Sequence, residues 1–144
     1  MGRYRYTRRI DAPPDEVFRG FTDPALVADW MDAERVTETS GPLDRSGTRF
    51  RLVIRGPWWF RSEVIRSVPG RLHETAGSGR LGASYRMLAT LEPRVDGGTD
   101  LAIEQSWTVP LGPIGRWIDR RWIESGPHTS GNREVDRLVS LVSR

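Results

Sequence analysis

The chain contains no cysteine and no lysine, has only two histidines, and lacks any long apolar run. Without cysteine, disulfides and thiolate metal sites are excluded. A zinc site would have to be assembled from His73, His128 and carboxylates, so no metal is expected, and no cofactor motif calls for one. No segment approaches the roughly 20 consecutive apolar residues that cross a bilayer. The opening residues, Met1 to Tyr6, lack the apolar core of a signal peptide, which points to a cytoplasmic protein without stable membrane insertion. All 22 basic residues are arginine, yet 19 acids hold the net charge to +3. Acids such as Asp11, Glu16, Glu63, Glu104 and Asp119 interrupt the arginines, and with no basic run in the chain no nucleic-acid partner is expected. No G-x-S-x-G elbow, H-E-x-x-H pair, Walker loop or kinase signature occurs either.

What is present fits a single folded domain over residues 1–144. A hydrophobic fraction of 37% against 28% charged residues is too apolar for a disordered chain, and the length supports one core rather than two.

Tyr4, Thr7 and Ile10 mark a first strand over Arg3–Ile10, stopped by Asp11-Ala12-Pro13-Pro14. Val17, Phe18 and Phe21 fall on one side at helical spacing, giving a helix from Pro13 to Phe21 with Asp15 and Glu16 suited to its first turn. Thr22-Asp23-Pro24 restarts a second short helix striped by Leu26, Val27, Trp30 and Met31. From about Glu34 the pattern becomes alternation punctuated by glycine and proline, a meander of about six further strands. Phe50, Leu52 and Ile54 share one face; so do Tyr85, Met87, Ala89 and Leu91, and Leu101, Ile103, Gln105, Trp107 and Val109. After Pro110 the helical period returns, with Ile114, Trp117, Ile118 and Trp122 on one stripe, and Val135, Leu138, Val139 and Val142 resume it near the end. The stretch Ser125 to Asn132, with one proline and two glycines, is expected to break or kink that long helix.

Gly77-Ser78-Gly79-Arg80-Leu81-Gly82 matches the dinucleotide pattern G-x-G-x-x-G. That motif needs a helix after it, and here a strand follows, so it reads as a hairpin loop. His73 is expected to alternate to the surface, and His128 falls in the interrupting loop. Arg121 lies near the middle of the apolar stripe of its helix. There it either forks onto a ligand carboxylate or phosphate, snorkels past the rim, or pairs with an acid such as Asp29 or Glu74. Gln105 and Tyr85 are the other polar groups expected to face inward, where each needs a partner. Trp30, Phe50, Phe60, Met87, Trp107, Trp117 and Trp122 are expected to supply the apolar lining of a pocket, or core packing in its place. Trp58 and Trp59 must point to opposite faces, which places one of them at a mouth or a subunit contact and leaves a homodimer open.

The order of strand, two short helices, six strands and a long helix is that of the helix-grip fold. The stretches Ile10-Asp-Ala-Pro-Pro-Asp-Glu-Val-Phe18, Phe21-Thr-Asp-Pro-Ala-Leu-Val-Ala-Asp-Trp-Met31 and Glu63-Val-Ile-Arg-Ser-Val-Pro-Gly-Arg-Leu72 resemble the SRPBCC superfamily, in particular its polyketide cyclase/dehydrase-type members. The resemblance covers nearly the whole chain. It implies an α+β fold with a curved antiparallel sheet of about seven strands wrapped on the C-terminal helix, enclosing a hydrophobic cavity. The chain departs from the family pattern over Glu124 to Asn132, where relatives keep the helix continuous.

Three functions follow from the resemblance. The first is a carrier or sensor of a small hydrophobic molecule, lipid-like or aromatic and polyketide-like, with Arg121 for an anionic end. The second is a cyclase or dehydratase in which Tyr85, Arg121 and Glu74 or His73 move protons. The third is an interaction module like the co-chaperone activators of this superfamily, which would use the exposed sheet face and leave the cavity small or filled.

Overall fold

The computed structural model describes residues 2–31, 33–55, 58–79, 82–108 and 127–142. Strand β1 (Gly2–Ile10) is followed by helices α1 (Pro14–Thr22) and α2 (Pro24–Trp30). Strands β2 (Arg35–Thr37), β3 (Arg49–Arg55), β4 (Trp58–Val68), β5 (Leu72–Gly79), β6 (Ser84–Pro93) and β7 (Thr99–Thr108) come next, and a helix over Pro127–Val142, here α3, ends the described chain. The strands form one sheet in the order β1-β7-β6-β5-β4-β3-β2, every neighbour antiparallel. It is a meander of hairpins whose first strand closes beside the last. Register shifts at Val53/Arg55 and Val64/Arg66 bend β3 and β4, as an extra residue in one strand does, and help curve the sheet.

The two short helices form where the sequence supplies their ends. Pro14 sits in the first turn of α1, where a missing N–H costs nothing, with Asp15 and Glu16 at the positive end of the helix dipole. Asp23 serves both helices: its N–H closes α1 on the Arg19 carbonyl, and its carboxylate accepts from Ala25 N at 3.0 Å to open α2. The pair is locked by Trp30, fully buried, whose indole Nε1 donates to the Gly20 carbonyl at 2.8 Å and whose ring meets Phe21 edge-on at 5.4 Å.

One cluster of the core joins α1, α3 and the inner faces of β1, β6 and β7 through Ile10, Val17, Phe18, Ala89, Ile103, Val135 and Leu138. A second joins α2 to β3 and β4 through Val27, Leu43, Phe50, Leu52 and Val64. The face alternation read from β3, β6 and β7 holds for Phe50, Leu52, Met87, Ala89, Leu91, Leu101 and Ile103, all buried, while Val53, at the register shift of β3, is buried as well and Val109 lies outside the described residues.

Of the stretch 125–132, expected to break or kink the long helix, Pro127 to Asn132 are helical, as part of α3. Residues 109–126, with Ser125 and Gly126 among them, lie outside the described residues. One expectation is corrected. His73 is not at the surface but 1% exposed, packed edge-on against Phe18 at 5.7 Å.

Candidate functional site

The inner face of the sheet is set by register. Tyr85 stands opposite Trp107 and Met87 opposite Gln105 across β6 and β7, while Leu52 stands opposite Phe60 across β3 and β4. Paired residues share a face, so these six side chains meet on the side covered by the helices. Together with Met31 at the end of α2 and Ile54, they line a space of about 150 Å³. Of the residues expected to form the pocket, Phe60, Tyr85, Met87, Gln105 and Trp107 are thus brought together. Trp30 and Phe50 lie deeper, around a second space of only about 10 Å³, and belong to the packed core beneath it. Trp117, Arg121 and Trp122 lie outside the described residues. The two acids considered as partners for Arg121 are engaged elsewhere: Asp29 with Arg137 at 3.3 Å, and Glu74 with Arg66 at 2.9 Å. Glu74 is on the opposite face of the sheet from His73, so the two cannot act on one substrate inside the cavity.

Beneath the cavity runs a polar seam that the sequence reading missed. Tyr85 Oη and Ser62 Oγ share a hydrogen bond of 2.6 Å, and Thr75 is one of the groups that favour the ionised phenol. Ser62 and Thr75 are both buried. His73 continues the line, its Nδ1 lying 3.2 Å from Ser67 Oγ. Ser62 was legible in principle, since it alternates in phase with Phe60 and Val64. His73 and Thr75 were not, because β5 reads Leu-His-Glu-Thr-Ala-Gly-Ser-Gly and has too few apolar residues to show which phase faces the core.

Burial raises the Tyr85 pKa above its ordinary value, against the opposing pull of Ser62 and Thr75, so the phenol stays protonated. Burial also pushes His73 down to about 4, opposed by the charge of Asp44, so the imidazole is neutral at pH 7. Among the described residues, Gln105 Nε2 donates only to Met87 Sδ, at 3.9 Å. Arg86 borders the space, but by strand alternation its side chain is directed to the far face, where it reaches Glu74. The described wall is therefore apolar with neutral hydrogen-bonding groups, suited to a hydrophobic ligand.

The Tyr85 geometry depends on Gly77, which pairs with it across β5 and β6. A Cβ at Gly77 would stand 2.5 Å from Tyr85 Cε1, 2.7 Å from Ser62 Oγ and 2.9 Å from the Arg61 carbonyl oxygen. Gly77→Ala is expected to cost about 1–3 kcal/mol in urea denaturation, as overpacking does, by driving the Tyr85 ring toward the cavity. Unchanged stability would show that the ring has somewhere else to go.

Among the described residues no group of three or more His, Asp or Glu side chains is placed to hold a metal, and no helix is long and apolar enough to cross a membrane. The family model described as polyketide cyclase / dehydrase and lipid transport matches residues 1–142. No curated protein matches the chain. Among solved structures, protein MLL2253 from Mesorhizobium loti superposes with a TM-score of 0.73 at 21% identity, covering 97% of this chain and 96% of that one. Ara h 8.0201 superposes with a TM-score of 0.63 at 12% identity over 98% of this chain and 97% of its own. DynU16, from the dynemicin biosynthetic locus, gives 0.63 at 23% identity over 96% of this chain but 46% of that one. At these identities the likeness establishes a shared helix-grip fold.

Proposed function

The chain belongs to the polyketide cyclase / dehydrase and lipid transport family, a hydrophobic-ligand-binding branch of the SRPBCC fold, and from this we propose that it is a cytoplasmic single-domain carrier or sensor of a small hydrophobic molecule. The observation that carries the reading is the space of about 150 Å³ walled by Met31, Leu52, Ile54, Phe60, Tyr85, Met87, Gln105 and Trp107. It offers room well beyond a single water, and its wall provides aromatic contact area with few polar groups. The ligand is lipid-like or aromatic and polyketide-like, and Arg121 is the proposed anchor for an anionic end.

A carrier needs only such a wall, whereas a cyclase or dehydratase needs a group that takes a proton and one that gives it. Burial pushes Tyr85 further above neutrality and His73 down to about 4, which makes the phenol a weak acid and the imidazole a weak base at pH 7, and Glu74 lies on the other face; these support binding over proton transfer. An interaction module of the co-chaperone type would not need an unfilled space.

Native mass spectrometry of the purified protein, with organic extraction of anything released, tests the reading alongside a panel of fatty acids and fluorescent aromatic probes. Ile54, half-buried at the edge of the space, gives a variant that fills it: Ile54→Trp is expected to weaken probe binding at least about tenfold, the loss of one good apolar contact set, without lowering stability. Arg121→Ala should release carboxylate-bearing members of the panel selectively. A protein that carries nothing and ignores the whole panel would reject the carrier reading, and turnover of an oxygenated aromatic probe would replace it with the enzymatic one.

A further inference from the structure

The face of the sheet turned away from the cavity carries an unusual juxtaposition. Arg51 on β3 and Arg61 on β4 are direct cross-strand partners. Like charges in that position repel unless something negative lies between or beside them. Arg51 has Glu38, with Oε2 2.8 Å from its Nε, but the buried Nε–H is not aimed at an acceptor. Arg61 has no carboxylate partner among the described residues; its guanidinium lies 5.7 Å from the ring of Trp59, which Arg51 covers at 4.4 Å.

The same register row continues from Arg61 to Ser78 on β5 and Ser84 on β6. In the next row Ala76 leads to Arg86. Small side chains thus floor the middle strands while guanidinium groups rise on both flanks, bounding a recess of about 820 Å³ in which four arginines meet two glutamates. Arg86 shares its carboxylate, Glu74, with Arg66. The recess therefore keeps an excess of positive charge together with hydroxyl donors.

We propose that this recess is a second binding site, for the phosphate group of a soluble small molecule. Arg51 and Arg61 supply charged forks, Ser78 and Ser84 supply neutral donors, and Arg86 closes the far side. A phosphate fits better than a carboxylate because it has oxygens enough for donors converging from four strands, whereas a carboxylate has two. The charged donors of this site lie on the opposite face from the ligand cavity, although Tyr85, Arg86, Ser106 and Trp107 border both spaces.

The test is a titration of ¹⁵N-labelled full-length protein with sodium pyrophosphate at constant ionic strength, following backbone amides and the Trp59 indole N–H. Saturable shifts centred on Arg61, Ser78 and Ser84 are expected, and Arg61→Gln should weaken binding about tenfold, the worth of one charge-assisted contact. Arg9→Gln, which removes an equal charge from an exposed position on β1, should leave the affinity unchanged. Shifts that never saturate and are scattered over exposed arginines would overturn the proposal, as would equal weakening by Arg9→Gln. Binding to single-stranded oligonucleotides or anionic vesicles that Arg61→Gln abolishes, without a pyrophosphate response, would overturn it in favour of a macromolecular or lipid partner.

Discussion

Acidification from pH 7 to pH 4 should remove about 3 kcal/mol of stability through His73 alone, a shift of some 2.5 units at about 1.4 kcal/mol each. In the unfolded chain the imidazole takes a proton near 6.5; in the folded protein burial holds its pKa at about 4. Between those values the unfolded state binds a proton that the native state refuses. The contribution is therefore complete above pH 6.5, is lost as pH falls toward 4, and changes no further below. The cause is local and visible: Phe18 and Phe21 pack against the ring, and among the described residues Ser67 offers the one hydrogen bond and only the Asp44 carboxylate favours the charged form. Urea denaturation of the wild type and His73→Asn at half-unit steps from pH 7.5 to 4 would measure this. The wild-type curve should fall more steeply than the variant's by up to about 1.4 kcal/mol per pH unit, the worth of one proton. Parallel curves would mean that His73 is protonated in the folded state despite its burial.

Truncating Trp30 should cost still more, about 3–5 kcal/mol for Trp30→Ala, the range for removing a large buried aromatic. The side chain is fully buried, packs on Phe21, and satisfies the Gly20 carbonyl. A domain of ordinary stability holds only about 5–15 kcal/mol, so the alanine variant will be close to unfolding at room temperature. Trp30→Phe separates the contributions. It keeps most of the ring contact but strands a buried carbonyl, and about 1–3 kcal/mol should be lost for that alone. Chemical denaturation reads both losses. Probe affinity reads a further point: Trp30 lines the deeper, nearly filled space and not the larger one. If the folded Trp30→Phe variant binds the aromatic panel as the wild type does, Trp30 is a foundation of the site and not part of its wall.

That distinction marks where the sequence was readable. Alternation in Tyr85-Arg86-Met87-Leu88-Ala89 and in Ile103-Glu104-Gln105-Ser106-Trp107 displays the buried phase directly, because one face is apolar and the other polar. The burial of Trp30 was equally clear from its helical stripe. Whether a buried aromatic touches a cavity or fills the core depends on what packs opposite it, and a periodic pattern contains no such information. The polar seam was hidden for a related reason: Thr75 gains its orientation from standing opposite Met87, a pairing made across a hairpin. The Arg51 and Arg61 pair is likewise a product of register.

The closure of β1 onto β7 has a consequence for how the chain reaches this structure. Gly2 pairs with Trp107 and Ile10 with Thr99, so the strand synthesised first must wait for roughly a hundred residues to emerge before it has a partner, a high-contact-order step that slows folding. The entropy of closing so long a loop grows only logarithmically with its length, which makes the step late without making it prohibitive. During that interval Tyr4, Tyr6 and Ile10 are an open template for pairing with another nascent chain. Arg3, Arg5, Arg8 and Arg9 are interleaved with them, and strand edges studded with charge resist such association. Because β1 is the end strand of the finished sheet, the same arginines also stud the edge it leaves open in the native protein.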